Sequence, residues 1–283
     1  DLFSIRYEKM LETYQKYPGI SLNAIGNFGR FLPSPLVNIL KLSLIEKSFL
    51  RFEKSLIAKR EIEISRKYNH NLLINRHEVA VLNKKLSTNS VQEIKPLVKI
   101  KNTCDRNFQS QPTFVFLGAL NVPHNNFSIT QFIKNQMDAL IQVIPNVKLL
   151  IIGKNPSDVL KKLVAKYPHN IEMKGFVEDI DSIFSECCAM IVPLLFGSGV
   201  KLKTLEAFGR GLPVIGTDFA FEGINITNYE QCILENNMNN YPKLMKKLIN
   251  KETNDSISKN SKEFFESFYS KNAIYGHYRK IFS

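Results

Sequence analysis

From Phe114 onward the chain alternates short apolar runs with stretches of helical period, and glycines close three of those runs. Phe114-Val115-Phe116-Leu117 ends at Gly118, Val147-Lys148-Leu149-Leu150-Ile151-Ile152 at Gly153, and Ile171-Glu172-Met173 leads to Gly175. Ala189-Met190-Ile191-Val192, Pro213-Val214-Ile215-Gly216 and Cys232-Ile233-Leu234 read as three more strands. Helices are expected over about 127–142, 157–166 and 179–186, and around Glu206. Continuous apolar strands with helical crossovers predict a parallel sheet covered on both faces. Ligands of such sheets gather at the carboxyl ends of the strands. The three glycines and the turn Gly197-Ser198-Gly199 all fall on that edge.

That turn begins the most informative stretch, which runs from Gly197 to Ile215. It reads as a glycine-rich turn, an amphipathic helix with a single acid, a Gly-Leu-Pro break and a buried strand. Strand, flexible turn and helix start is the geometry in which free N–H groups face a phosphate, aided by the helix dipole. Lys201 and Lys203 add positive charge there, and Glu206 is spaced to accept from a sugar hydroxyl, as acids do for ribose in dinucleotide folds. The same residues also read as a tight turn before an ordinary helix with a solvated acid, because a short motif is not specific without its context.

Composition narrows the classes. A chain of 283 residues, 44% hydrophobic and 23% charged, suggests two globular domains. No apolar run reaches membrane-spanning length, and no signal peptide is visible. The formal charge is +12, and residues 1–100 hold 17 basic against 9 acidic side chains, leaving 21 against 17 for the rest. A basic front segment suggests anionic lipid, a phosphorylated substrate or nucleic acid. No nucleic-acid recognition motif accompanies it. Cys104, Cys187, Cys188 and Cys232 lack metal-ligand spacing, so reduced thiols are expected. Asp179-Ile180-Asp181 spells an Asp-x-Asp pair that reads as a metal site or as caps of a short helix. His124 and Lys154 are solvated loop residues in this reading, and Arg210 is a charge complementing a helix C-terminus.

The first hundred residues differ. Residues 3–17 and 36–62 look helical, 71–75 is one clear strand, and a helix follows near 78–85. The long Lys-, Leu- and Phe-rich helix reads either as a solvated amphipathic helix or as one that adsorbs to a membrane. Residues 87–112 are polar and loop-like, and the tail from about 255 is helical, with an aromatic cluster of Phe264, Phe265, Phe268, Tyr269, Tyr275 and Tyr278.

Taken in order, four pieces resemble the retaining GT-B-fold glycosyltransferases of the family 4 ("group 1") type. Phe114 to Gly118 is similar to the first donor-domain strand and Leu150 to Gly153 to the second. Gly175 to Ile180 resembles the loop over the base, and Pro193 to Thr217, with Phe221-Glu222-Gly223-Ile224, the signature turn and helix. The bacterial polysaccharide-biosynthesis subgroup, with its Gly-x-Gly-x-x-x-Lys turn, matches best.

The resemblance implies an α/β, GT-B-like fold: a complete Rossmann-like C-terminal donor domain with a parallel sheet, plus a partial N-terminal α/β domain. The expected boundaries are 1–103 for the acceptor side, 104–262 for the nucleotide-sugar domain and 263–283 for a helix packing back on the front part. It implies transfer of a hexose from a nucleoside diphosphate sugar to a saccharide or lipid-linked acceptor, with retention and without cofactor or metal. Donor-binding candidates are Gly118, Gly153, Phe176, Val177, Gly197, Ser198, Gly199, Val200, Lys201, Lys203 and Glu206. Asp1, in a segment resembling the middle of the acceptor domain, is the catalytic candidate, beside its reading as a frayed terminus.

The chain departs from the broader family in two places. Ser198 stands where the first of two glutamates is usual, and Ala119 and Asn125 stand where an Arg and a Lys hold the diphosphate. A binding module without turnover and a sugar-nucleotide epimerase are the alternatives. Expected surroundings are the cytoplasm, with peripheral contact at the inner face of an anionic membrane and no nucleic acid.

Overall fold

The computed structural model describes residues 1–17, 20, 33, 43–100, 106 and 108–282. It divides into two compact units, Asp1–Ile94 with Phe196–Gly199, and Lys95–Leu195 with Val200–Ser283.

In the second unit six strands form one parallel sheet. They are β3 (Thr113–Leu117), β4 (Lys148–Ile152), β5 (Ile171–Gly175), β6 (Ala189–Val192), β7 (Val214–Gly216) and β8 (Ile233–Leu234), in the order β5-β4-β3-β6-β7-β8. β1 and β2 lie in the first unit. Chain order runs outward from β3 in one direction and from β6 in the other, so the switch point lies between them.

Alternation along each strand builds the layers. Phe114, Phe116, Leu149, Ile151 and Ile191 enter one core cluster. Their neighbours Val115, Ile152, Met190 and Val192 enter a second, on the opposite face. The first face is covered by α4 (Pro123–Val143) and α9 (Tyr241–Ile249), with Ile129, Phe132 and Tyr241 fully buried. The other carries α7 (Leu202–Gly209) and α10 (Lys251–Tyr269), whose Leu205, Phe208 and Phe265 fill it. Burying a large apolar side chain contributes about 1.5–3 kcal/mol, so this unbroken apolar patterning dominates the fold. Shorter helices α5 (Asp158–Val164), α6 (Asp181–Glu186) and α8 (Asp218–Phe221) complete the crossovers, and α11 (Lys271–Phe282) ends the chain. The expected parallel, doubly covered sheet is therefore present.

The first unit holds α1 (Phe3–Lys16), α2 (Ser43–Ser65), α3 (Arg76–Leu86) and a two-stranded parallel sheet, β1 (Asn71–Leu73) with β2 (Val91–Glu93). β2 corrects the reading of 87–112 as loop. Only Val91 of its three residues is buried, so no periodicity marks it. Tertiary bonds define it instead: the Asn83 side-chain amide of α3 donates to the Val91 carbonyl at 2.9 Å and accepts from its N–H at 3.0 Å. The long front helix starts at Ser43, and residues 36–42 lie outside the described residues, as does Cys104.

The helical tail is two helices, broken where Ser270 turns extended (ψ 157°). Its aromatic residues meet partners within the second unit. The Phe264 ring stands 6.1 Å from Phe208 of α7, and the Tyr278 hydroxyl donates to the Lys95 carbonyl at 2.9 Å.

A candidate donor site at the switch point

The carboxyl ends of β3, β4 and β5 are stitched together by their glycines. Gly118 N–H donates to the Ile152 carbonyl at 2.9 Å and Gly153 N–H to the Gly175 carbonyl at 2.7 Å. A Cβ on Gly153 would lie 2.0 Å from the Gly118 carbonyl oxygen, so the backbones approach too closely for any side chain. Gly118 and Gly153 thus have a packing role whatever they bind.

Across the switch point, β6 leads into the turn. Its approach is pinned where Leu195 N–H donates to the buried Ser128 hydroxyl of α4 at 3.0 Å. Gly197 has φ 137° and Gly199 φ 78°, backbone that L side chains rarely adopt. Within the first unit Gly199 also lies against Asp1, and a Cβ there would come 2.6 Å from Asp1 Oδ2. The structure therefore brings Asp1 to the turn.

After Val200, Lys201 is the N-cap residue of α7 and makes no side-chain cap. The first N–H groups of a helix have no intrahelical partners, and the Lys201 side chain does not cap them. α7 buries Thr204, Leu205, Ala207, Phe208 and Gly209, so Lys203 and Glu206 point away from that packed face.

Lys203 reaches the end of β3. Its Nζ donates to the Leu117 carbonyl at 2.8 Å and to Asn125 Oδ1 at 3.0 Å, and lies 4.8 Å from the Phe116 ring centre. The Asn125 side chain in turn donates to the Ala119 carbonyl at 3.1 Å. Both acceptors of Lys203 are uncharged. Burial, aided by the nearby Lys201 charge, pulls the Lys203 ammonium down to about 7. The charge of Lys201 thus acts on Lys203, which reaches the carboxyl end of β3.

Glu206 is half-buried, and burial raises its carboxyl above the ordinary range, against the pull of Arg210 and with a push from Asp181. Arg210 itself pairs with Asp181 and donates to the Glu206 carbonyl at 3.1 Å, which closes the C-terminal end of α7. The Asp179-x-Asp181 pair is accounted for in this way, since Asp179 Oδ1 accepts from Asp181 N–H at 2.9 Å at the start of α6. Among the described residues no three His, Cys, Asp or Glu side chains converge on a point where a metal could sit.

Beyond β5, Phe176 is 65% exposed with Lys154 Nζ 3.9 Å above its ring, and Val177 is half-buried beside it. Lys154 is solvent-exposed, in line with its sequence reading, with its ammonium over the Phe176 ring. His124 sits differently. His124 belongs to the first turn of α4, which begins at Pro123, because proline is pre-organised for that position. Asn125 was legible only as a departure from a pattern, yet it is the residue that positions Lys203. Cys187, Cys188 and Cys232 are free and buried, and burial pushes all three thiols up to about 12.

A parallel sheet with glycines along its carboxyl edge and a switch point between β3 and β6 is a Rossmann-like arrangement, in which ligands gather at that edge. Residues 111–250 match the family model described as Glycosyl transferases group 1. An uncharacterized 44.6 kDa protein in the cps region of Klebsiella pneumoniae is 31% identical over 128 residues, 43% of this chain and 33% of that protein. The chain thus matches a third of that relative's length. Among solved structures, S. aureus TarM, in complex with fondaparinux, α-GlcNAc-glycerol and UDP, superposes with TM-score 0.68 at 18% identity, over 80% of this chain and 46% of TarM. Anabaena HepE, in complex with UDP and glucose, gives TM-score 0.64 at 11% identity, over 91% and 83% of the two chains. These likenesses establish the GT-B fold.

Proposed function

We propose that the chain is the donor-binding part of a glycosyltransferase of polysaccharide biosynthesis. In this reading it moves a hexose from a nucleoside diphosphate sugar to a saccharide or lipid-linked acceptor, with retention of configuration. The carrying observation is the reach of Lys203 from the start of α7 to the carboxyl end of β3, where its ammonium meets two uncharged acceptors and an incoming diphosphate would supply the counter-charge. The location of the cps-region relative and the UDP of TarM and HepE support the pathway and the donor class.

Each residue has a task in this reading. The backbone of 197–201 and the N-terminus of α7 receive phosphate oxygens, and Lys203 supplies the charge that the absent Arg and Lys supply elsewhere. Negative charge develops on the diphosphate as the glycosidic bond breaks, so cations fixed there stabilise the transition state more than the ground state. Glu206 accepts from the ribose hydroxyls, the exposed Phe176 ring offers a face to the base, and Asp1, beside Gly199 within the first unit, is the catalytic candidate.

Calorimetry with UDP tests the assignment. Lys203→Met is expected to weaken binding by about 10- to 100-fold, the loss of one charge-assisted contact. Unchanged affinity removes the site. A second reading, binding without turnover, draws on Ser198 in place of an acid. Transfer or donor hydrolysis by the protein separates the two.

A further inference from the structure

The backbone that carries Asp1 is fixed from inside the first unit. Leu2 is buried and packs with Ile5, Leu82 and Val91. Its N–H donates to the carboxylate of Glu78 at 2.8 Å, and Glu78, near the start of α3, is wholly buried. Ser4 gives its N–H to Glu61 at 3.0 Å, one of the acids that α2 turns inward along with the buried Glu46. An apolar anchor and two charge-assisted bonds thus set the chain at the start of α1. The exposed Asp1 side chain projects from that fixed point toward the turn. A Cβ placed on Gly199 would lie 2.6 Å from Asp1 Oδ2 and 3.3 Å from Oδ1, so both carboxylate oxygens stand against that residue.

In the function proposed above this turn receives the diphosphate, so a fixed negative charge stands beside the place where a second one binds. Such a carboxylate disfavours every phosphate, and the cost grows with the charge of the ligand. The terminal phosphate of a free nucleoside diphosphate loses its second proton near pH 6 and carries about two negative charges at pH 8. In the sugar nucleotide the same phosphate is esterified and carries one. We infer that Asp1 discriminates by charge between the sugar nucleotide and the nucleoside diphosphate left after transfer, weighing against the product and speeding its departure. Lysines and a helix N-terminus alone attract the more highly charged product more strongly than the donor, so a site built only of them fills with product. An acid held rigidly against the turn offsets that bias where the two ligands differ. The inference rests on the donor-site reading and adds to it the rejection of product.

Calorimetry at about pH 8 tests it, with UDP and with UDP whose terminal phosphate is capped by a methyl group. The methyl ester removes one charge and adds no sugar. Asp1→Asn keeps the size of the side chain and drops its charge. It is expected to raise the ratio of UDP affinity to ester affinity by about three- to tenfold, chiefly through tighter UDP. Asp1→Glu keeps the charge and is expected to leave the ratio within about twofold of the parent.

An unchanged ratio in Asp1→Asn overturns the inference, as does a ratio raised only by weaker binding of the ester. Lys203→Met separates that outcome from a failure of the donor site. Where UDP binds the parent and Lys203→Met weakens it, the donor site stands and the ratio alone decides the role of Asp1. Where UDP does not bind, or Lys203→Met leaves its affinity intact, the donor-site reading fails and the role of Asp1 falls with it.

Discussion

The two ends of α7 hold cations under opposite conditions. At the C-terminal end Arg210 comes with its own acid, Asp181, and both side chains are about nine-tenths buried, at 11 and 12% exposure. At the N-terminal end Lys203 has, among the described residues, the Leu117 carbonyl and an amide oxygen as acceptors, beside the like charge of Lys201. Arg106, elsewhere in the same unit, shows a third arrangement. It is held by Asn254 Oδ1 at 2.7 Å and by the Cys187 carbonyl at 2.6 Å, and burial lowers it only to about 10, with Asp255 opposing the shift. Arg210 is matched by an acid, while Arg106 is held by neutral oxygens and keeps its buried Nε without a partner. A cation kept at the edge of the sheet, short of counter-charge, fits a role that begins when an anion arrives.

The contrast breaks most visibly at Arg210. Arg210→Met strands Asp181 and is expected to cost about 3 kcal/mol, seen as a melting point lower by roughly 6–12 °C, with UDP affinity unchanged. Lys203→Met inverts that pattern, since stability holds or rises at pH 6 while UDP affinity falls about 10- to 100-fold. Glu206→Ala is expected to weaken UDP by about three- to tenfold, the worth of one hydrogen bond to a half-buried acid, with equal binding of parent and variant to a diphosphate lacking ribose.

A further effect is in pH. The folded value of Lys203, about 7, lies below its unfolded 10.5. Between those values the unfolded chain holds more protons, so stability rises with pH across that window. The melting point is expected to climb from pH 7 toward 10 by an amount comparable to the Arg210→Met loss, and Lys203→Met to flatten the climb.

Much of this was readable in advance, for a physical reason. The runs at 114–117, 147–152 and 189–192 are buried on both faces, so their apolar content alone marks strand and direction. Glycines at 118, 153, 197 and 199 mark the edge because close approach and positive-φ backbone exclude side chains there. β2 was not readable, since its order comes from the Asn83 amide and β1 rather than from its own three residues. The reach of Lys203 across to β3 was equally hidden, because sequence spacing says nothing of a contact 78 residues away. The inward acids of α2 depend on α1 as a partner, which a helical period cannot supply.

The most direct test is UDP affinity by calorimetry across pH 6 to 9 for the parent chain and Lys203→Met. The expected result is parent affinity that is highest near pH 6 and declines, by up to about tenfold per pH unit, above about 7, because the bound diphosphate needs the charged ammonium. The variant is expected to bind weakly and without that decline. Equal affinities and parallel pH profiles for the two proteins contradict the account.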